Sequence, residues 1–187
     1  MSEPEAAADA VAAVPDPGSP SHEPGRWGRV QPWVSLVVRV GLAFVFFWSG
    51  IAKISDLDQA RRAVAAYQLF PYTITQIIGV GLPIVELAVA VLLLAGLVTR
   101  YTAIVYILIM AAFIFGIAHS WASGLNIDCG CFGGGGAITG SAKAEYIEEI
   151  LRDVGLALCA AYLAWWPRTP FSADKALRLF PERTPLP

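Results

Sequence analysis

Apolar residues run almost unbroken over four stretches of the chain, with short polar breaks between them. The first, PWVSLVVRVGLAFVFFWSGIAKI, spans about Trp33 to Ile54 and has the roughly 20 residues a helix needs to cross hydrocarbon. The second, TITQIIGVGLPIVELAVAVLLLAGLV, is long enough to span with tilt, and Thr99 and Arg100 close it with a charge. The third, YTAIVYILIMAAFIFGIAHSW, begins almost at once, which predicts an antiparallel hairpin with the second. The fourth runs from about Ile147 to Trp166 and ends at Trp165, Trp166 and Pro167, an aromatic belt followed by a helix stop. Its first turns carry Glu148, Glu149, Arg152 and Asp153, so that end lies in the headgroups or against protein. The pattern predicts an all-α fold, an integral membrane four-helix bundle.

The polar breaks add detail. In SDLDQARRAVAAYQLFPY, residues Leu57, Ala60, Val64, Tyr67 and Leu69 recur at helical spacing, which predicts a short amphipathic segment at the membrane interface, ended by Pro71. Residues 1–30 are rich in Ala, Pro, Gly and acids. They lack the basic and apolar regions of a secretory signal and read as a disordered tail. The expected organisation is a tail over 1–30, a membrane domain over 31–167 and a second tail over 168–187.

Composition supports the membrane reading: of 187 residues, 56% are hydrophobic and only 15% charged, with mean hydropathy +0.58. A net charge of −2 without a basic stripe sets nucleic-acid binding aside. Lys and Arg fall unevenly. Arg26, Arg29, Arg100, Arg168, Lys175, Arg178 and Arg183 gather on one side, against Lys53, Arg61, Arg62 and Lys143 on the other. The positive-inside rule then places both termini in the cytoplasm. The loop NIDCGCFGGGG faces outward, where disulfides persist.

That loop carries the first candidate chemistry. Gly130 gives the chain between Cys129 and Cys131 the freedom to bend until the thiols meet, so a reversible and strained disulfide is feasible. Strained, exposed disulfides suit exchange. Asp128 opposes the thiolate unless a cation such as Lys53, Lys143 or Arg152 offsets it. Gly133 to Gly136 would let the loop move toward a partner and back. A structural zinc site would need four ligands, and the loop offers two thiols, Asp128 and His119. Inert loop thiols are the other alternative.

The second candidate is Glu86, near the middle of the second apolar run. A carboxylate there is costly, faces the bundle interior, and is a functional candidate or a neutral acid bonded to a neighbouring helix. Lys53 and Arg152 lie at the outer ends of their helices and could approach Glu86 or the loop. Arg39 is explained by snorkelling as well as by function. Pro83 would loosen the helix one turn before Glu86, or serve packing alone. Cys159 is expected as a small buried residue at mid-depth, and His119, beside Trp121, as an interfacial anchor.

These residues together resemble the DoxX-like membrane proteins and, within them, the methylamine-utilisation MauE family. The resemblance rests on Arg39-Val-Gly-Leu-Ala-Phe44 through Ser49-Gly50-Ile-Ala-Lys53, Pro83-Ile-Val-Glu86, Asp128-Cys-Gly-Cys-Phe-Gly133 and Arg152-Asp153. It covers about Val34 to Trp166 and implies a four-helix membrane protein with extracytoplasmic thiol or disulfide chemistry, working beside a thioredoxin-like protein. For the MauE family it implies help in maturing a periplasmic amine dehydrogenase.

The leading expectation is therefore a membrane thiol–disulfide redox protein in which Cys129 and Cys131 exchange with an extracytoplasmic thioredoxin-like partner, with oxidoreductase activity left open. A membrane quinone is the natural electron sink or source, seated near Glu86, Pro83 and the aromatic run Phe44, Phe46, Phe47 and Trp48, with Glu86 or Lys53 handling protons. A relay of two cysteine pairs within the chain is excluded, because Cys159 is alone. The rivals are a non-catalytic subunit or assembly factor of a redox enzyme, and a small-solute carrier centred on Glu86, which four spans without an internal repeat fit poorly.

Overall fold

The structure, a computed structural model, describes residues 26–130, 135–137 and 143–166. Among the described residues, four long helices and one short one follow in order: α1 Arg26–Ile54, α2 Leu57–Ala66, α3 Tyr72–Ala95, α4 Thr99–Ala122 and α5 Lys143–Trp165. Two two-residue strands, β1 Ile127–Asp128 and β2 Gly136–Ala137, pair antiparallel between α4 and α5. Among the described residues, three stretches are long and apolar enough to cross a membrane: Val30–Ile54 within α1, all of α3, and all of α4. Helix α5 has the length, but Glu145, Glu148, Glu149, Arg152 and Asp153 crowd its first half.

Helix α1 is patterned inside out relative to a helix in water. Its buried face reads Gln31, Ser35, Arg39, Leu42, Phe46, Ser49 and Lys53 at intervals of three or four, while Val37, Phe44, Trp48 and Ile51 point outward. Lipid solvates the apolar face, so the inner face is free to carry the polar groups that neighbouring helices can satisfy. The helix begins well before the apolar run, because Pro32 in its early turns forfeits only its own amide bond. Arg39 corrects the snorkelling expectation: it is only 3% exposed and turns inward. Cys159 is corrected in the opposite sense, lying on the outward side of α5.

Helix α1 packs along α3, and α4 along α5; contacts of α1 with α5 and of α3 with α4 close the set. The α1–α3 approach depends on Gly50, where a Cβ would stand 2.8 Å from Leu87 Cγ and 3.2 Å from the Pro83 carbonyl oxygen. Helix α3 continues through Pro83, whose ring is fully buried. In the core, Phe46 of α1 stacks on Tyr106 of α4 with centroids 3.8 Å apart. The α3–α4 hairpin turns tightly, as its sequence predicts. Gly96 takes a left-handed conformation, and the Leu97 amide donates to the Leu92 carbonyl, a Schellman-type end. Thr99 and Arg100 open α4 rather than close α3.

Helix α2 also departs from expectation. It stops at Ala66, and Pro71 instead caps the start of α3. Its N-cap is Asp56, which accepts from the Gln59 amide at 2.8 Å. Its buried face is Ala60 and Ala63. It presses against α3 at Gly79, where a Cβ would meet the Arg61 Cα at 2.8 Å. Its other neighbour is the strand pair, so protein, rather than an interface alone, covers its small residues.

Candidate functional site

Two polar sites lie at different depths. The deeper one joins α1 to α3. Lys53 Nζ donates to both Glu86 oxygens at 2.9 and 3.0 Å, and Ser49 Oγ donates to Glu86 Oε2 at 3.1 Å. Lys53 also contacts Ser49 one turn earlier, and its ammonium lies 5.5 Å from the centroid of the Phe113 ring. Glu86 is wholly buried and Lys53 nearly so. In a medium without water each charge is tenable only because the other is there, and the serine uses a further lone pair of the carboxylate.

The shallower site is the loop around Cys129. Asp128 organises it: Oδ1 accepts from the Gly130 amide at 2.9 Å and Oδ2 from the Gly135 amide at 3.2 Å. Gly135, at φ +96°, is seated so closely that a Cβ would fall 2.6 Å from the Ala63 Cβ of α2. Gln59 of α2 donates to the Gly135 carbonyl at 2.5 Å, and Tyr67 just beyond α2 donates to the Cys129 carbonyl at 3.4 Å. From the other side Tyr146 of α5 accepts from the Ile127 amide at 2.8 Å and donates to the Leu125 carbonyl at 2.7 Å. Ile117, Ile127 and Tyr146 form a small core beneath, with Cys129 and Ile150 packed against it. The loop is thus held by α2 on one flank and α5 on the other.

The Cys129 sulfur, an Asp128 oxygen and a Glu149 oxygen lie within 4.8 Å of one another. This cluster offers three ligand atoms among the described residues, one short of the four a structural zinc site takes. Glu149 is the residue that sequence reasoning passed over. It sits among acids with nothing to single it out, and helix register alone turns it toward the loop.

The expected site residues therefore separate. Lys53, Glu86 and Pro83 gather on the α1–α3 seam. Arg152 bonds Asp153 through Nε at 3.0 Å, one helical turn beyond Glu149, and Cys129 belongs to the loop. Cys131 falls outside the described residues, as do residues 1–25 and 167–187 of the two expected tails. Phe44 and Trp48 stack on each other at 6.3 Å on the outward face of α1, 63% and 59% exposed. Pro83 and Glu86, by contrast, are fully buried. The cavity beside Ser49 is water-sized and lined in part by Phe46, Met110, Phe113 and Asp153. His119 tilts against Phe115 and stands apart from the Cys129 cluster.

Comparison with known proteins bears on this arrangement. The model of the family described as methylamine utilisation protein MauE matches residues 31–166. The methylamine utilization protein MauE of Paracoccus denitrificans is 30% identical over 111 residues, covering 57% of this chain and 58% of that relative. The chain thus spans under two thirds of the relative's length. No solved structure matches. With three apolar helices long enough to span and the family match across all five described helices, the chain is a multi-pass membrane protein and belongs to the MauE family.

Proposed function

We propose that this protein is a membrane thiol–disulfide exchange protein serving methylamine utilisation, with Cys129 and Cys131 as its reactive pair and an extracytoplasmic thioredoxin-like protein as its partner. The observation that carries the reading is the cradle of Cys129. Its flanking backbone is fixed by Asp128 and Tyr67, its strand by Tyr146, and its sulfur is met by a carboxylate. A thiolate of the partner attacks one sulfur of the Cys129–Cys131 disulfide and the other sulfur leaves. The partner's second thiol then resolves the mixed disulfide. The partner's dithiol is oxidised to a disulfide as the pair is reduced, and the reverse sequence reduces the partner.

The accompanying topology has α5 as the fourth span, with its outward side apolar at Leu151, Val154, Leu158 and Trp165. Its acids lie at the extracytoplasmic end, and both termini are cytoplasmic.

Thiol trapping in native membranes tests the reading. Cys129→Ser alone should leave Cys131 able to hold the partner as a mixed disulfide, and Cys129→Ser with Cys131→Ser should abolish both capture and pathway function. Full pathway function in the double variant would instead support the second reading, a non-catalytic accessory of a redox enzyme. The closed Lys53–Glu86 clasp favours that reading, since it stabilises a scaffold. A carrier centred on Glu86 is the weakest reading, because Lys53 and Ser49 already occupy that carboxylate.

A further inference from the structure

Two carboxyl groups approach the Cys129 sulfur, those of Asp128 and Glu149, each with an oxygen within 4.8 Å of it. Their hydrogen bonds tell them apart. Asp128 accepts from the Gly130 amide through Oδ1 and from the Gly135 amide through Oδ2, and donors on both oxygens favour the charged form. Glu149 Oε2 is buried and has no hydrogen-bond partner among the described residues. A buried carboxyl oxygen without a donor is costly as an anion and much less so as a neutral acid, so Glu149 is the one of the two suited to carry a proton. The other ionisable groups facing it are Arg152 and Asp153 of its own helix, which bond each other at 3.0 Å. His119 of α4 stands apart from the cluster. Glu149 as a whole is only half-buried, so water on the loop side can replace a proton it gives up.

Cys129 packs against the small core of Ile117, Ile127 and Tyr146, apolar surroundings in which a bare thiolate is poorly stabilised. We infer that Glu149 is the general acid and base for Cys129. The inference rests on the exchange reading above and names the group that moves the proton in it. In the reducing direction the partner's thiolate bonds to the other sulfur of the pair, the S–S bond breaks, and its electron pair leaves on Cys129. Glu149 passes its proton to that sulfur, and the carboxylate left behind is reprotonated from water. In the oxidising direction the Glu149 carboxylate takes the Cys129 proton as that sulfur attacks the mixed disulfide. The displaced electron pair leaves on the partner's sulfur, and Glu149 returns the proton to water. Acid–base contacts of this kind tighten when the reacting partner docks.

The full-length protein in lipid nanodiscs tests the assignment, with dithiothreitol as reductant, its cyclic disulfide as oxidant, and acid quenching followed by alkylation to count free thiols. Dividing each rate of reduction by the fraction of dithiothreitol present as thiolate leaves the protein's own pH dependence. In the parent this corrected rate should be highest at low pH and fall as Glu149 loses its proton. Glu149→Gln, close in shape, should lower it about a hundredfold where the parent is fastest, flatten the pH profile, and slow oxidation by the same factor. Glu149→Asp, one methylene shorter, should restore part of the rate together with the pH dependence. Glu148→Gln, at an exposed position, should change neither. A flat corrected profile in the parent would overturn the acid–base role while leaving exchange intact. So would a Glu149→Gln variant that is as fast as the parent or slow with the parent's profile, or an equal loss in Glu148→Gln. A parent in which dithiothreitol frees no thiol at Cys129 and Cys131 would overturn the exchange reading, and the role of Glu149 with it.

Discussion

The Lys53–Glu86 clasp and the Cys129 loop meet the shortage of water by different means. The clasp uses few, strong contacts: two opposite charges and a serine, all supplied by α1 and α3. The loop uses many weak ones, drawn from α2, α5 and its own Asp128, and most serve backbone groups rather than side chains. Damage should therefore propagate differently. Breaking the clasp should unsettle the whole helix packing, whereas breaking the loop should free a sulfur locally and leave the helices standing.

The sharpest break is Lys53→Met, which strands a buried carboxylate. It should cost about 3–5 kcal/mol, and the pair Lys53→Met with Glu86→Leu should regain most of that. Unfolding in detergent by heat or denaturant measures both, and a double variant no better than the singles would mean the charges do not depend on each other. Next comes Gly135→Ala, which forces a side chain into a left-handed position against Ala63. The expected local cost is about 1–3 kcal/mol, read as faster alkylation of Cys129 with the global melting point nearly unchanged. Tyr146→Phe leaves the buried Ile127 amide without its acceptor, a cost of about 1–2 kcal/mol. Hydrogen exchange at that amide should speed up while exchange along α3 stays slow. Gln59→Ala, which removes one bond to the Gly135 carbonyl, should cost about 0.5–1.5 kcal/mol and show only as a small rise in loop proteolysis. At the lower end, Trp48→Leu on the outward face should fall within about 0.5 kcal/mol of the parent. A larger effect there would indicate that something other than lipid covers this face.

The same contrast governs what could be read from the sequence. Glu86 and Lys53 stood out because a charge in an apolar run is rare and needs a partner, and their contact is there. The hairpin at Gly96 was legible because a short glycine-bearing link leaves few geometries. The aromatic run divides by period: Phe44 and Phe46 are two apart, which on a helix puts them on roughly opposite sides. Only Phe46 enters the core. The spacing of Ser35, Arg39, Leu42, Phe46, Ser49 and Lys53 could have shown that face. Nothing local could reveal that Gln59 reaches Gly135, 76 positions away, or that Glu149 rather than Glu145 or Glu148 turns toward Cys129. Such contacts are products of packing, and local pattern carries no trace of them.

The polar inner stripe of α1 has a consequence for synthesis. While the ribosome is still extending the chain, Arg39 and Lys53 are already in the bilayer and the glutamate that neutralises Lys53 has yet to emerge, so nascent chains cut short before residue 86 should be retained at the translocon or degraded. Completion of α3 is the moment at which the first helix becomes comfortable in lipid.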